Sequence, residues 1–497
     1  MFSTAAPTMG GLEPGSGSAR TAKHIAYLDG LRAIAVLSVF FRHAWGLSGS
    51  PVLPFFGTDL RFIMVMLGSG VDLFFVLSGY LLARSFLRAR QTGEAAPSYR
   101  VYWRARIRRI GPPYWVVLFL VVLLLTGTFI PTDRVFSLQG LAIFLAHVGI
   151  MQAAYLPSFG AYSVETPFWT LTIEIIFYLM LPFMVRLFFG KRWLYCTPLL
   201  AAVALVWLYL VRNSLDPLVS FVNGPLNVFP PFPEEAVRFF LSHQMPAFLV
   251  DFTAGILAAL VVTSKKFALR DNALFQRLTS PTMGVAVFFA GVLVVLGAMW
   301  RLGNRSLANN YADPLQYMNT DRPADLLYYY METIPFGVGF GLMLCGLALA
   351  TGWLQRVFSF KPLAYVGVIG YSVYLLHMPL LYVINNYGWL QAMTNPKTHF
   401  LALLAVAGPA VFLISTAFFR TVERPAMDWS RRAHLQPGGG RRGRQEAAEP
   451  VAAEADLPAP LTGSATVPGE DKDVSWAVDD AVPGEYDRAR REEQVRS

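Results

Sequence analysis

Long apolar runs separated by short polar loops fill most of the chain, and their spacing sets the first expectation. Stretches approaching the ~20 residues that a helical bilayer crossing needs occur at 25–47, 63–86, 110–130, 168–189 and 193–212, then at 243–263, 282–300, 331–352, 362–386 and 400–419. The pattern predicts an all-α integral membrane protein, a bundle of about ten transmembrane helices. An eleventh stretch, 138–156, is interrupted by Gln139, His147, Gly149 and Gln152, and loop charge decides how to read it. Arg84 to Arg109 contains eight arginines, a strong cytoplasmic signal that sends 110–130 outward. If 138–156 crossed, the clusters at Arg186, Lys191 and Arg192 and at Lys265, Lys266, Arg270 and Arg277 would fall outside. If it stays on the outer side, every basic cluster is cytoplasmic, as are both termini. The expected location is therefore the inner (plasma) membrane, multi-pass, in contact with the lipid bilayer.

The ends differ in composition. Residues 1–22 are rich in Gly, Ser, Thr, Ala and Pro without the apolar core of a signal peptide, and read as a disordered tail. Residues 23–429 form the membrane domain. Residues 430–497 carry GGGRRGR from Gly438 and continue as an Ala/Glu/Pro/Asp mixture, which reads as a disordered cytoplasmic tail. Composition narrows the classes further. With 55% hydrophobic and 15% charged residues and a mean hydropathy of +0.44, the length is spent on spans. The formal charge of +9 sits in short loops rather than on one polar face, so it reflects positive-inside bias and no nucleic-acid partner is expected. Cys196 and Cys345 lie inside apolar runs, leaving no disulfide framework and no Cys-based metal or redox site; no metal is expected. Walker A, G-x-S-x-G, H-E-x-x-H and Rossmann patterns are absent from the sequence.

Ionisable groups at membrane depth cost roughly 2.5–3.5 kcal/mol each on insertion scales, so each demands a reason. Arg32 and His43 share the first helix, eleven residues apart, which places them on one face with about 16 Å between them. Histidine is a natural general base near neutral pH; the alternative is that Arg32 snorkels and His43 caps a helix end. Glu174, after the aromatic entry FWTLT, is expected about one turn below the outer surface, at a depth comparable to that of His43, where it could orient the imidazole or pair with an arginine. His377 precedes Pro379, so it could bind substrate or brace a kink. Asp72 is a further candidate for substrate contact, against the architectural reading of a pair with Arg32 or Arg61. In YWRARIRRIGPPYW, Arg106 and Arg109 fall on one side of a helical turn, and guanidinium forks suit the phosphates of a coenzyme A headgroup; ordinary positive-inside topology is the other account. Pro112 and Pro113 are expected to stop any helix continuing from this loop.

Taken in order, these motifs resemble the acyltransferase type 3 family of integral membrane proteins, from about Ile25 to Pro425. LDGLRAIAVLSVFFRHAW carries the family's R-x10-H pattern at Arg32 and His43, and GVDLFFVLSGYLL follows at Gly70. RIRRIGPPYW matches the arginine motif, with Ala105 where many relatives have a second arginine before Arg106; Arg104 and Arg108 are then possible substitutes. FWTLTIEIIFYLMLP resembles WSLxxE-FYLxxP, with Thr170 for the usual Ser and Glu174 at the acidic position. GYSVYLLHMPL and TVERP, with His377 and Glu423, resemble the closing motifs.

The resemblance implies acyl transfer, commonly acetyl, from acyl-CoA to a hydroxyl of a surface polysaccharide, a glycolipid or a glycosylated small molecule. Some relatives add an extracytoplasmic hydrolase-like domain, for which the polar tail here is too short. On this reading His43 is the general base or an acyl-histidine carrier, Arg32 lines the thioester path or balances charge, and Glu174 orients the site. Arg106 and Arg109 hold the acyl-CoA headgroup, and His377 and Asp72 contact substrate. The rivals are a glycolipid permease or flippase, for which the sequence lacks repeated halves and paired broken helices, and a scaffold acting through its tail.

Overall fold

The computed structural model describes residues 25–159, 167–213, 234–308 and 323–428; the two tail segments read from composition lie outside them. The helices in chain order are α1 (Ala26–Leu47), α2 (Arg61–Met66), α3 (Gly70–Thr92), α4 (Tyr99–Leu125), α5 (Leu138–Val148), α6 (Trp169–Met184), α7 (Trp193–Asn213) and α8 (Glu234–Ser242). They continue with α9 (Leu249–Lys266), α10 (Ala273–Leu278), α11 (Pro281–Ala308), α12 (Pro323–Leu349), α13 (Trp353–Phe358), α14 (Lys361–Val368), α15 (Gly370–Asn386) and α16 (Pro396–Phe418). Strand structure among the described residues is confined to a two-stranded pairing of Pro54–Phe55 with Thr58–Asp59 and one isolated bridge.

A helix occupies each of the ten apolar stretches, but not all meet the requirements of a span by length and apolarity. Among the described residues seven helices do, and eight if α14 and α15, bent by 74° at Ile369, count as one span. The expected multi-span helical bundle is borne out; α12, whose described apolar part is Ile334–Leu349, stands outside this count. In α1, Asp29, Arg32 and Arg42 dilute the apolar run; Asp29 and Arg42 are buried and Arg32 is partly buried. The lipid-type surface lies elsewhere: Leu123 on α4, Leu293 on α11 and Leu413 on α16 are each at least 70% exposed, a pattern suited to hydrocarbon and costly in water.

Two further details refine the sequence reading. The stretch around 138–156 contains α5, whose 11 residues span only about 16 Å, and it is held against α4 by Tyr114 Oη donating to His147 O (2.8 Å) and Trp115 Nε1 donating to Val148 O (2.9 Å). Pro112 and Pro113 do not end the arginine segment. Instead α4 runs unbroken from Tyr99 to Leu125 with both prolines inside it. Adjacent prolines remove two successive backbone bonds, and packing supports the helix here: Tyr371 Oη donates to Ile110 O at 2.9 Å, and Trp103 Nε1, about two turns earlier, donates to Tyr178 O at 3.1 Å.

Glycine sets how closely the helices approach. A Cβ on Gly367 would lie 1.8 Å from Asp29 O, and one on Gly30 would lie 1.9 Å from Phe358 O. Hydrogen in place of a methyl group therefore lets α1 lie directly against the α13–α14 backbone. Beyond that contact α1 and α15 run parallel, Val36 meeting Gly370 and His43 meeting His377 seven residues further along each helix. Gly79 and Gly255 allow the same intimacy between α3 and α9. Gly367→Ala is expected to destabilise the protein by about 1–3 kcal/mol or more through overpacking, lowering the thermal unfolding midpoint in detergent. Gly408→Ala, with nothing near its would-be Cβ, should leave that midpoint unchanged.

Candidate active site

The bundle encloses a cavity of about 120 Å³ that gathers residues from six parts of the chain. Arg32 comes from α1, Ser78 from α3, Arg106 and Arg109 from α4, and Glu174 and Tyr178 from α6. Tyr371 and Tyr374 come from α15, just past the bend, and Glu423 from the π-helical turn Phe419–Glu423 that ends α16. Three guanidinium groups and two carboxyl groups therefore share one enclosure. Such a charge set is stable at membrane depth only when its members are paired or hydrogen-bonded.

The partners are specific. Asp29, fully buried one turn before Arg32, pairs with its guanidinium. Glu174 Oε1 accepts from Ser78 Oγ (3.1 Å) and from Tyr178 Oη. Glu423, buried, accepts from Ser372 Oγ at 2.5 Å. Arg106 is 3% exposed and lies against the ring of Tyr102, 5.9 Å from its centroid. Tyr374 Oη donates to Pro167 O, so its 2.5 Å contact with Thr170 Oγ1 uses the threonine hydrogen.

Beyond Tyr374 lies a second feature. His43 Nδ1 and His377 Nε2 are 3.1 Å apart, with ring centroids separated by 5.2 Å. Neither histidine lines the cavity, but Tyr374 does, and its ring is 5.9 Å from that of His377. One aromatic ring therefore separates an arginine-rich cavity from a pair of imidazoles.

Residues 25–420 match the family described as an acyltransferase domain, acyltransferase type 3. The chain belongs to that family. Among its relatives, the peptidoglycan O-acetyltransferase OatA of Listeria monocytogenes is 27% identical over 419 residues, covering 81% of this chain and 56% of that protein. The putative peptidoglycan O-acetyltransferase YrhL of Bacillus subtilis is 26% identical over 414 residues, covering 81% and 55%. Regulator of hypoxia-inducible factor 1 of Caenorhabditis elegans is 23% identical over 377 residues, covering 72% and 68%. The chain thus spans little more than half the length of the first two. No solved structure matches it.

Against this family background, the residues singled out in the sequence fall into three places. Arg32, Arg106, Arg109 and Glu174 converge on the cavity, His43 and His377 pair beside it, and Asp72 is elsewhere. Glu174 was expected at the depth of His43, yet its hydrogen-bond partners are Ser78 and Tyr178. Gln152 Nε2 donates to Phe168 O (2.9 Å) and Ala153 N to Thr172 Oγ1 (3.2 Å), folding the preceding segment over the helix start. Asp72 is six residues from Ser78, about 120° around α3, and lines a small separate cavity with Asp251. Neither expected partner reaches it, since Arg32 pairs with Asp29 and Arg61 with Asp59 (2.5 Å). Arg104, exposed, and Arg108 do not line the main cavity.

Several cavity groups went unassigned in the sequence. Asp29 was legible as an i, i+3 partner of Arg32, and Glu423 stood in a quoted motif without a role. The hydroxyls of Tyr178, Tyr371 and Tyr374 carried no signal, because tyrosine is ordinary in apolar helices. Among the described residues no group of three or more His, Cys, Asp or Glu side chains is arranged to hold a metal. Ser372→Ala, which strips the buried Glu423 carboxyl of its hydroxyl donor, is expected to cost about 1–3 kcal/mol. In a double-mutant cycle of thermal melts with Glu423→Gln the two losses should be non-additive; strict additivity would mean the contact carries no energy.

Proposed function

We propose that this chain is a membrane O-acyltransferase that moves an acyl group, most simply acetyl, from acyl-CoA to a hydroxyl of a carbohydrate-containing acceptor. The observation that carries the reading is the enclosure of Arg32, Arg106 and Arg109 one tyrosine ring away from the His43–His377 pair. Family membership supports the reaction class, and the printed names of the Listeria and Bacillus relatives, which concern peptidoglycan O-acetylation, support a sugar hydroxyl as acceptor.

In this reading the chain sits in the inner membrane with both termini and the Arg106/Arg109 end facing the cytoplasm, where acyl-CoA is found. Arg106 and Arg109 bind the headgroup phosphates through charge-assisted hydrogen bonds. The pantetheine arm extends past Arg32, whose charge Asp29 balances, and past Glu174, which Ser78 and Tyr178 hold in place. At the far end His43 removes the acceptor hydroxyl's proton as its oxygen attacks the thioester carbonyl. The C–O bond forms, the C–S bond breaks, and the departing thiolate takes the proton back from His43.

The roles separate kinetically. Arg106→Ala should raise KM for acyl-CoA about 10- to 100-fold, the range of a lost charged hydrogen bond, with a smaller change in kcat. His43→Ala should lower kcat by about 10²–10⁴-fold, the usual worth of a general base. The check is transfer of radiolabel from acetyl-CoA to candidate glycosides by purified protein, with the fold verified by thermal melting. Normal transfer by His43→Ala would remove His43 from the chemistry. Glycolipid translocation without thioester consumption would replace the reading with a permease.

A further inference from the structure

The hydrogen-bond partners of the two imidazoles determine where their protons lie. His377 Nδ1 is 2.7 Å from Tyr374 O and 3.2 Å from Val373 O. A carbonyl oxygen only accepts, so Nδ1 carries the hydrogen. Fully buried on α15 and with no carboxylate among its described partners, this ring is neutral, because an unpaired buried charge is costly. Its Nε2 is therefore a lone pair. That lone pair faces His43 Nδ1 at 3.1 Å, and two lone pairs cannot bond, so His43 Nδ1 carries a hydrogen as well. The remaining nitrogen of His43, Nε2, is left as the basic one.

We propose that His377 is a positioning residue that holds His43 in its Nδ1–H tautomer, so that His43 Nε2 is the atom that takes the acceptor hydroxyl's proton. This rests on the acyl-transfer reading above and sharpens it to a single nitrogen. His43 Nδ1–H faces His377 Nε2, His43 also hydrogen-bonds with the backbone of Val39 one turn back on α1, and His377 Nδ1–H donates to the backbone of α15. When Nε2 of His43 receives the proton, its Nδ1–H becomes part of a cation and donates more strongly to His377. The contact therefore tightens as the reaction proceeds, which lowers the barrier rather than merely holding the ground state. His377 itself neither gains nor loses a proton in the step.

The role also explains why an imidazole is needed at 377 rather than any kink-bracing polar group. The site requires a group that donates at one end to a backbone carbonyl and accepts at the other.

The first test needs no turnover. In protein labelled with ¹⁵N at the histidine ring nitrogens, with the His43 signals assigned by their loss in His43→Ala, Nδ1 of His43 should show the protonated, pyrrole-type shift and Nε2 the unprotonated, pyridine-type shift. The reverse pattern in the wild type overturns the proposal, whatever the activity. Kinetics provide the second test. His377→Leu should lower kcat about 10- to 100-fold, with KM for acetyl-CoA within about 2-fold. His377→Gln, whose amide oxygen can accept from His43, should recover most of the lost kcat. If Gln is as impaired as Leu while both variants melt like the wild type, the accepting role is wrong. If the tautomer is as stated but His43→Ala transfers normally, the positioning stands and it is the base assignment that falls.

Discussion

The approach of α1 to the bent α14–α15 pair is the constraint on which the site depends. A methyl group at Gly30 or Gly367 would collide with backbone carbonyls of Phe358 or Asp29, so the distance between these helices is set by hydrogen atoms. Once that contact is made, the equal seven-residue steps from Val36 to His43 and from Gly370 to His377 carry both helices forward in parallel. Two turns of an α-helix take about seven residues, and two parallel helices that touch at one level touch again two turns later. The His43–His377 contact is thus a consequence of glycine packing two turns away. A shift of one residue in that register would rotate one imidazole by about 100° and dissolve the pair.

The charges obey a second constraint. Three arginines and two carboxyl groups line one cavity, and isolated burial of any of them would be prohibitive. The solution is local for Arg32, whose partner Asp29 is on its own helix, and distributed for the others. Glu174 is held by hydroxyls from α3 and α6, Glu423 by a hydroxyl from α15. Hydroxyl donors fix each carboxyl group in position, and Arg109 interacts electrostatically with Glu423 across the cavity.

The legible part of the site was its isolated chemistry. Arg32, His43, Glu174 and His377 stand out because each interrupts an apolar run, and a polar group there has few uses. Their grouping was not legible. Periodicity put Arg32 and His43 on one face, but it could not show that the segment before α6 folds over the helix start, or that Glu174 lines the cavity with Ser78 and Tyr178 while His43 does not. Nor could it anticipate that the turn at Pro112–Pro113 would be braced by Tyr371 and remain helical, since that support comes from a residue some 260 positions away. Asp72 stands apart for a related reason: its motif adjoins cavity-lining residues in sequence, but on α3 it lines a separate cavity with Asp251. Charge and apolarity conflict in α1, and a helix with no exposed residue along its length can carry charges that a lipid-facing one cannot.

Tyr374 holds the two parts of the site in relation. Its hydroxyl donates to Pro167 O and accepts from Thr170, so both of its hydrogen-bonding functions are used at the entry of α6. The ring is consequently fixed between the cavity on one side and His377 on the other. Because Tyr374 also lies one turn before His377, and its own carbonyl receives the His377 Nδ1–H, a displacement of this residue would disturb the wall and the imidazole together. The cavity cannot open toward the histidines by moving Tyr374 without loosening the bond that sets the His377 tautomer. On the transfer reading, the acyl arm therefore has to pass alongside the ring rather than push it aside, and the basic nitrogen of His43 stays oriented while the donor arrives.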